Sequence, residues 1–366
     1  RLSDTLTTFP LLSHLPKLKR VNIPDALERI DVPMFEHCPA LEEIEISPDH
    51  PYFTLRDGMI ISKANKKLVC ILGSVTELII PDDGSVLEIG DDACRGRTSL
   101  ERVVIPGSVR TVRASAFLGC TSLASVELGK GIKTLEYYCF YGCTGLEAVS
   151  LPAGVTAVGD FAFYGCDRLT VVSLPAGLKS VGDYAFGNCL SLLSLTVPAT
   201  AERLGHSMLE GCRALESLTV PFVGMTADGG WLGLLFGAVD HTFSEGYVPA
   251  SLIRVTVTTG ASLPANAFFE CSGIREVILP DTLTSIGHRA FYRCARLASV
   301  TLPASVTSLS DEAFCGCVRL TSVDLSHVTS LGVQVFRGCS SLSDVIPPAC
   351  DVPAYTFEGT PYGLAH

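Results

Sequence analysis

A chain of 366 residues with 47% hydrophobic and only 18% charged side chains holds too much apolar material for disorder, and its 33 Gly and 21 Pro, spread evenly, imply many turns between short elements. The longest strongly apolar run, Trp231 to Val239, is far below the roughly 20 residues that span a bilayer, so no transmembrane segment is expected. With 27 basic against 38 acidic residues and a net charge of −11, the chain lacks the basic face that phosphate contact needs, and nucleic acid is not an expected partner.

In chain order, Arg1-Leu2-Ser3-Asp4 has neither an initiator Met nor an apolar signal core, so the sequence reads as a processed or truncated form. Leu6 to Leu15 reads as a partial repeat, and Cys38 marks the first full one. Between Ile46 and Ile80 about 11 extra residues intervene. Within them, near 47–74, two alternating apolar stretches flank a polar Lys63-Ala64-Asn65-Lys66-Lys67 tip, the pattern of a β-hairpin. From Cys120 the repeat is strict: Cys120, Cys143, Cys166, Cys189 and Cys212 stand 23 residues apart. A second insertion near 221–250 carries the only Trp, Trp231. Cys271, Cys294 and Cys317 then resume the interval, Cys339 follows 22 residues later, and Tyr355 to Thr360 is a degenerate last unit.

One unit runs Leu146, Val149, Leu151, Pro152, Val155, Val158, Ala162, Phe163, Cys166; the next repeats it from Leu169 to Cys189. Val149-Ser150-Leu151 alternates as a short strand does, and Pro152 ends it by removing a donor. Asp160 before Phe161-Ala162-Phe163-Tyr164 predicts an N-cap and about one helical turn. Asp91, Asp183 and Asp311 share its column, and His206 and His288 replace it twice. No unit can bury its apolar residues alone, so the units must stack, with one domain spanning 1–366.

These columns resemble the leucine-rich repeat, and more narrowly its BspA-like class, with the sense L-x-x-V-x-L-P-x-x-V-x-x-I-G-x-x-A-F-x-x-C. The resemblance covers about 13–14 units. It implies an α/β repeat solenoid, a right-handed superhelix with short parallel strands on one face and short helices or turns on the other. It also implies adhesion, because many relatives are surface proteins of bacteria and some protozoa.

Ten of the 15 cysteines, Cys38, Cys120, Cys143, Cys166, Cys189, Cys212, Cys271, Cys294, Cys317 and Cys339, form one column and read as inward, unpaired packing residues. Cys94 stands at a Phe station and Cys139 at an Ala station, both as core substitutions; Arg97 falls on the Cys column. No C-x-x-C exists, and Cys315-Gly316-Cys317 and His37-Cys38 are isolated, so neither a metal nor another cofactor is expected. Asp228, Asp240, His241 and Glu245 form the densest polar cluster and a hydrolytic alternative, but no nucleophile motif accompanies them. The outward strand positions, such as Ala148 and Ser150 or Ser194 and Thr196, are mostly hydroxylic. Contact with a protein or glycan ligand is therefore expected first near the insertions, where Trp231, Phe236 and Tyr247, and Tyr52 and Phe53, supply aromatic surface. The expected role is a non-enzymatic scaffold, extracellular or at the cell surface. The alternative is a cytoplasmic one, since 15 cysteines without a pairing framework also suit a reducing compartment. No Asn-x-Ser/Thr acceptor is present, so N-glycosylation is not expected.

Overall fold

Pro152 and its equivalents limit the first strand of each coil to a few residues, and the chain then turns toward a second, shorter strand. A computed structural model describes residues 2–8, 12, 14–30, 35, 38, 40–73, 75–227, 229–241 and 244–365, the side chains of 244 and 245 excepted. They fall into two compact units, one of Arg1–Gly177 with Ala185–Leu190, the other of Leu178–Tyr184 with Ser191–His366.

In the first unit the strands Glu77–Ile79, Arg102–Ile105, Ser125–Leu128, Ala148–Ser150 and Val171–Ser173 pair in parallel, one per coil. Val103 lies opposite Val126, and Val149 opposite Val172, so inward residues stack on inward residues. A second row, Glu88–Ile89, Thr111–Val112, Thr134–Leu135 and Ala157–Val158, runs parallel on the next side of the coil. The second unit repeats the design with Ser194–Thr196, Ser217–Val220, Arg254–Val257, Glu276–Ile278 and Ser299–Val300 in one row. Ser262–Leu263, Ser285–Ile286, Ser308–Leu309 and Ser330–Leu331 form its other row. Each unit is thus a parallel-strand β-solenoid, with about 14 turns in the chain as a whole.

The interior is a pile of phenylalanines. Phe117, Phe140, Phe163 and Phe186 lie face to face with centroids 5.1, 5.3 and 5.5 Å apart. In the second unit Phe268, Phe291, Phe314, Phe336 and Phe357 continue the arrangement at 5.1, 4.8, 5.3 and 5.5 Å. These separations match the spacing of neighbouring strands, about 4.8 Å, so one backbone period fixes one ring period.

The helical turn expected after Asp160 is absent; that side is built of turns, and the described helices are the short segments Leu232–Phe236, Ser244–Tyr247 and Pro361–Ala365. Two causes are visible. Phe161 adopts a φ of +54° and Gly165 one of +70°, left-handed values that interrupt any helix. The amides also point elsewhere: Phe163 N–H donates to Ala185 O and Gly165 N–H to Gly187 O, both at 2.8 Å, which knits each coil to the next. The column aspartates serve the same purpose. Asp183 Oδ1 accepts from His206 N–H at 3.0 Å and Asp311 Oδ1 from Val333 N–H at 2.9 Å, each capping the following coil.

The first insertion forms three antiparallel strands, Phe53–Arg56, Met59–Ser62 and Lys67–Ile71, the last of which joins Glu88–Ile89 in parallel. Residues 63–66 close one hairpin. The other closes at Asp57-Gly58, with φ of 49° and 76°, the type I′ geometry that suits strand twist.

Candidate binding surface

The outward strand positions form a regular face in each unit. In the first, Arg102 lies between Glu77 and Glu127, donating to Glu127 at 2.6 Å and also to Glu77. Glu127 first, and then Glu77, holds this guanidinium above its ordinary value. In the second unit Arg254 Nε donates to Glu276 at 2.7 Å. Exposed pairs of this kind contribute little stability but fix where charge sits on the face. Between these charges the outward residues are small, hydroxylic or aliphatic. Ile79 and Val171 are 54% and 58% exposed, and in the second unit Ile278 is 45% exposed, so apolar side chains stand toward solvent on a face otherwise rich in Ser and Thr. Two depressions indent it. One of about 530 Å³ is lined by Asp4, Asn22, Asp25, Glu45 and Leu55 among others; one of about 280 Å³ in the second unit is lined by Glu276, Ile278, Asp281, Ser299 and Thr301.

The aromatic residues expected near the insertions divide. Phe53 and Phe236 are only 3% and 1% exposed, so both face the interior and neither offers contact surface. Tyr52 and Tyr247 reach solvent at 37% and 43%. The Tyr52 hydroxyl meets Glu28 at 3.4 Å. Trp231 meets His241 edge to face at 5.9 Å, and its indole Nε1 is buried without a hydrogen-bond partner. Within the hydrolytic alternative, His241 Nδ1 lies 3.1 Å from Asp240 Oδ1, while Asp228 and the side chain of Glu245 lie outside the described residues, as does His37. Among the described residues no group of three His, Cys, Asp or Glu is placed to hold a metal ion.

The cysteines form a ladder of their own. All ten column thiols are buried. Cys143 Sγ donates to Phe117 O at 3.2 Å, Cys166 to Phe140 O at 3.3 Å and Cys189 to Phe163 O at 3.3 Å. Cys294, Cys317 and Cys339 make the same bond to Phe268, Phe291 and Phe314, each at 3.1 Å. The small thiol therefore adds a second hydrogen bond to a carbonyl of the preceding coil that already accepts a backbone N–H within its own turn, as Phe117 O does from Cys120 N–H at 3.2 Å. Arg97, the substitute in this column, does so with a longer arm: its guanidinium donates to Phe35 O at 3.0 Å. Burial pushes the thiols of Cys70 and Cys120 up to about 12 and raises those of Cys94, Cys139, Cys143, Cys166, Cys271, Cys294 and Cys317 as well. Thiolate is the reactive form, so these groups are chemically silent in the native chain. In a titration with a disulfide reagent near pH 8, Cys315 and Cys350, the two half-exposed thiols, are expected to react first, and the rest only in denaturant. A native count near 15 overturns the buried ladder, and a denatured count below ten overturns the unpaired state.

Two features carry no signal in the repeat consensus. His50 is fully buried: its Nδ1 accepts the N–H groups of Tyr52 and Phe53 at 3.1 and 3.2 Å, which leaves Nε2 to donate to Pro24 O at 3.0 Å. It pins the start of the first insertion to an earlier coil. The second is a set of half-buried aromatic rings on the turn side of the first unit. Tyr138 stacks on Phe161 at 4.9 Å and Tyr141 on Tyr164 at 5.1 Å, and Tyr137, 54% exposed, meets Tyr138 edge-on at 5.8 Å. The signal that finds it is the i, i+3 pair Tyr138/Tyr141 recurring 23 residues later as Phe161/Tyr164.

Known proteins place this architecture. A search of curated proteins finds no match. Among solved structures, a leucine-rich repeat protein from Bacteroides ovatus is similar over 93% of this chain and 82% of its own, at 24% identity and a TM-score of 0.56. A leucine rich cell surface protein from Faecalibacterium prausnitzii matches over 86% of this chain and 94% of its own, at 24% identity and a TM-score of 0.41. The pneumococcal vaccine antigen PcpA matches over 84% of each chain, at 20% identity and a TM-score of 0.43. The first of these likenesses bears on the fold alone. The model of the BspA type leucine rich repeat region matches residues 10–56, 87–216 and 260–361, well over half of the sequence, and those stretches hold all ten column cysteines. The chain belongs to the BspA-type leucine-rich repeat family.

Proposed function

We propose that this chain is a non-enzymatic binding scaffold for a protein or glycan ligand, carried on a cell surface or secreted. The observation that supports it is the outward strand face, whose residues stand in register from coil to coil within each unit and which the core does not need. A rigid backbone with an interchangeable outer row is suited to recognition, since changing an outward residue leaves the inward ones in place. The apolar residues Ile79 and Val171 and the fixed charges on Arg102 and Arg254 supply the kinds of group that partners read. A screen of the folded chain against extracellular matrix proteins and glycans is expected to give at least one saturable partner, weakened severalfold by Val171→Asp with the melting temperature unchanged. Absence of any saturable partner would sink the reading. A second reading, an intracellular interaction scaffold, draws on the 15 unpaired cysteines, which a reducing compartment preserves. A secretion signal in the reading frame upstream of Arg1 would decide for export.

A further inference from the structure

In the first unit the outward charges of neighbouring coils alternate in sign. On the first strand row Arg102 stands between Glu77 and Glu127. On the second, Arg113 stands between Glu88 at 3.0 Å and Glu136 at 3.4 Å. Arg20 and Arg168 likewise meet Glu43 and Glu147 of adjoining coils. The corner between the two rows departs from this pattern. There the residue ahead of each second-row strand is Lys66, Leu87, Arg110, Lys133 and Thr156, with no carboxylate among them.

Backbone bonds tie these residues into one line. Leu87 N–H donates to Lys66 O at 2.8 Å, Arg110 N–H to Leu87 O at 2.8 Å, Lys133 N–H to Arg110 O at 3.1 Å and Thr156 N–H to Lys133 O at 3.0 Å. Successive members therefore follow one another at about the strand spacing of 4.8 Å. Lys130 joins the line from the loop ahead of Lys133. Gly129 and Gly131 press that loop onto the preceding coil, where a Cβ on either would fall on backbone atoms of Pro106 or Gly107, so Lys130 is the one side chain the tripeptide presents. The Lys133 ammonium reaches over the next coil, to where a Cβ on Gly154 would lie 2.9 Å away. Lys66, Arg110, Lys130 and Lys133 are all exposed, and none forms an ion pair with a described residue. The acids of the same corner are engaged: Asp82 accepts Ser108 N–H at 3.2 Å and Asp83 meets Arg56 at 2.6 Å. Like charges on adjacent strands repel, so a chain of net charge −11 carries here a positive ridge that its own carboxylates do not neutralise.

We propose that Lys66, Arg110, Lys130 and Lys133 form a binding ridge for a linear acidic polysaccharide, whose sulfate or carboxylate groups supply the negative charge that this corner lacks. The proposal rests on the scaffold reading above and names the class of its glycan ligand. The ridge runs along the stacking direction, so a polymer with repeating anions engages several coils at once. No aromatic ring stands in the line to stack a base, as sites for single-stranded nucleic acid require. Leu87, 37% exposed, is its one apolar member, which is too little to anchor the chain on a membrane.

The test uses the intact chain and fluorescein-labelled dextran sulfate, polygalacturonate and uncharged dextran of matched length. Anisotropy titration at low salt is expected to show saturable binding of dextran sulfate, polygalacturonate or both, the pair separating sulfate from carboxylate, and no binding of dextran. Affinity is expected to fall as salt rises to about 0.15 M. Arg110→Glu/Lys133→Glu is expected to weaken binding at least about tenfold with the melting temperature unchanged. Lys130→Glu, on a loop outside both strand rows, gives a second route that does not depend on the double variant folding, and a severalfold loss is expected. Arg296→Glu/Arg319→Glu removes the same charge from two exposed arginines of the second unit and is expected to leave affinity within about twofold. Equal losses in the two double variants overturn the proposal, as does binding of neither acidic polysaccharide. Tighter binding of single-stranded polyuridylate than of both polysaccharides overturns it in favour of RNA. A chain that fails here but gains a protein or neutral glycan in the matrix and glycan screen keeps the scaffold reading and loses only this ridge.

Discussion

Replacing Phe163 by Ala is expected to cost about 4 kcal/mol, a large share of the stability of an ordinary domain. The ring is fully buried and touches Phe140 at 5.3 Å and Phe186 at 5.5 Å, so its removal opens a void between two rings whose positions the backbone fixes. Strands held by parallel hydrogen bonds on both sides cannot close that gap by sliding, because each would leave its register. The loss should also be local in origin, since a coil contacts only its neighbours. Urea unfolding followed by far-ultraviolet circular dichroism measures it. Tyr137→Ala, at a position 54% exposed, is the comparison, and a change within about 0.5 kcal/mol is expected there. A cost below about 1 kcal/mol for Phe163→Ala would remove the ring pile from the list of things that hold the fold.

Alkaline unfolding is the second large expected effect. The nine thiols that burial raises stay protonated in the native chain, whereas the unfolded chain releases their protons near the ordinary value of 9.0. Above that pH the native state binds more protons than the unfolded one, so stability falls as pH rises. The contribution is complete below about pH 9 and is lost as pH climbs toward about 12, where Cys70 and Cys120 themselves ionise. Each thiol removes roughly 1.4 kcal/mol per pH unit, and nine acting together exhaust a stability of roughly 5–15 kcal/mol within about one unit. A cooperative transition near pH 10, shifted upward in Cys166→Ala relative to that variant's own stability at neutral pH, is the expected result. A chain that keeps its full circular dichroism signal at pH 11 would contradict it.

Much of the coil was legible because inward residues recur with the period of the repeat. Val149, Val158, Phe163 and Cys166 each occupy one column, and a column is what a stack of coils requires. The second strand of each coil was not legible, since Ala157–Val158 contributes a single inward residue and two residues show no alternation. An Asp before an apolar pair is a capping signal, so the sequence after Asp160 predicts a helical turn. The left-handed φ at Phe161 left no trace, since aromatic residues rarely adopt it. The Cys column suggested packing, but the bond from each thiol to a carbonyl of the preceding coil depends on backbone direction, which spacing does not encode. Phe53 and Phe236 illustrate the weakest inference: in an insertion without a repeat partner, composition does not say which aromatic turns inward.

Trp231 is the only tryptophan and sits in the second insertion, with its indole N–H sealed from solvent and His241 against its edge. Its ultraviolet emission therefore reports on that loop and the coils beneath it. The first unit contains no indole, so melting there passes unseen by intrinsic tryptophan light, and the tyrosines at 52, 137, 138, 141 and 164 are the chromophores that register it.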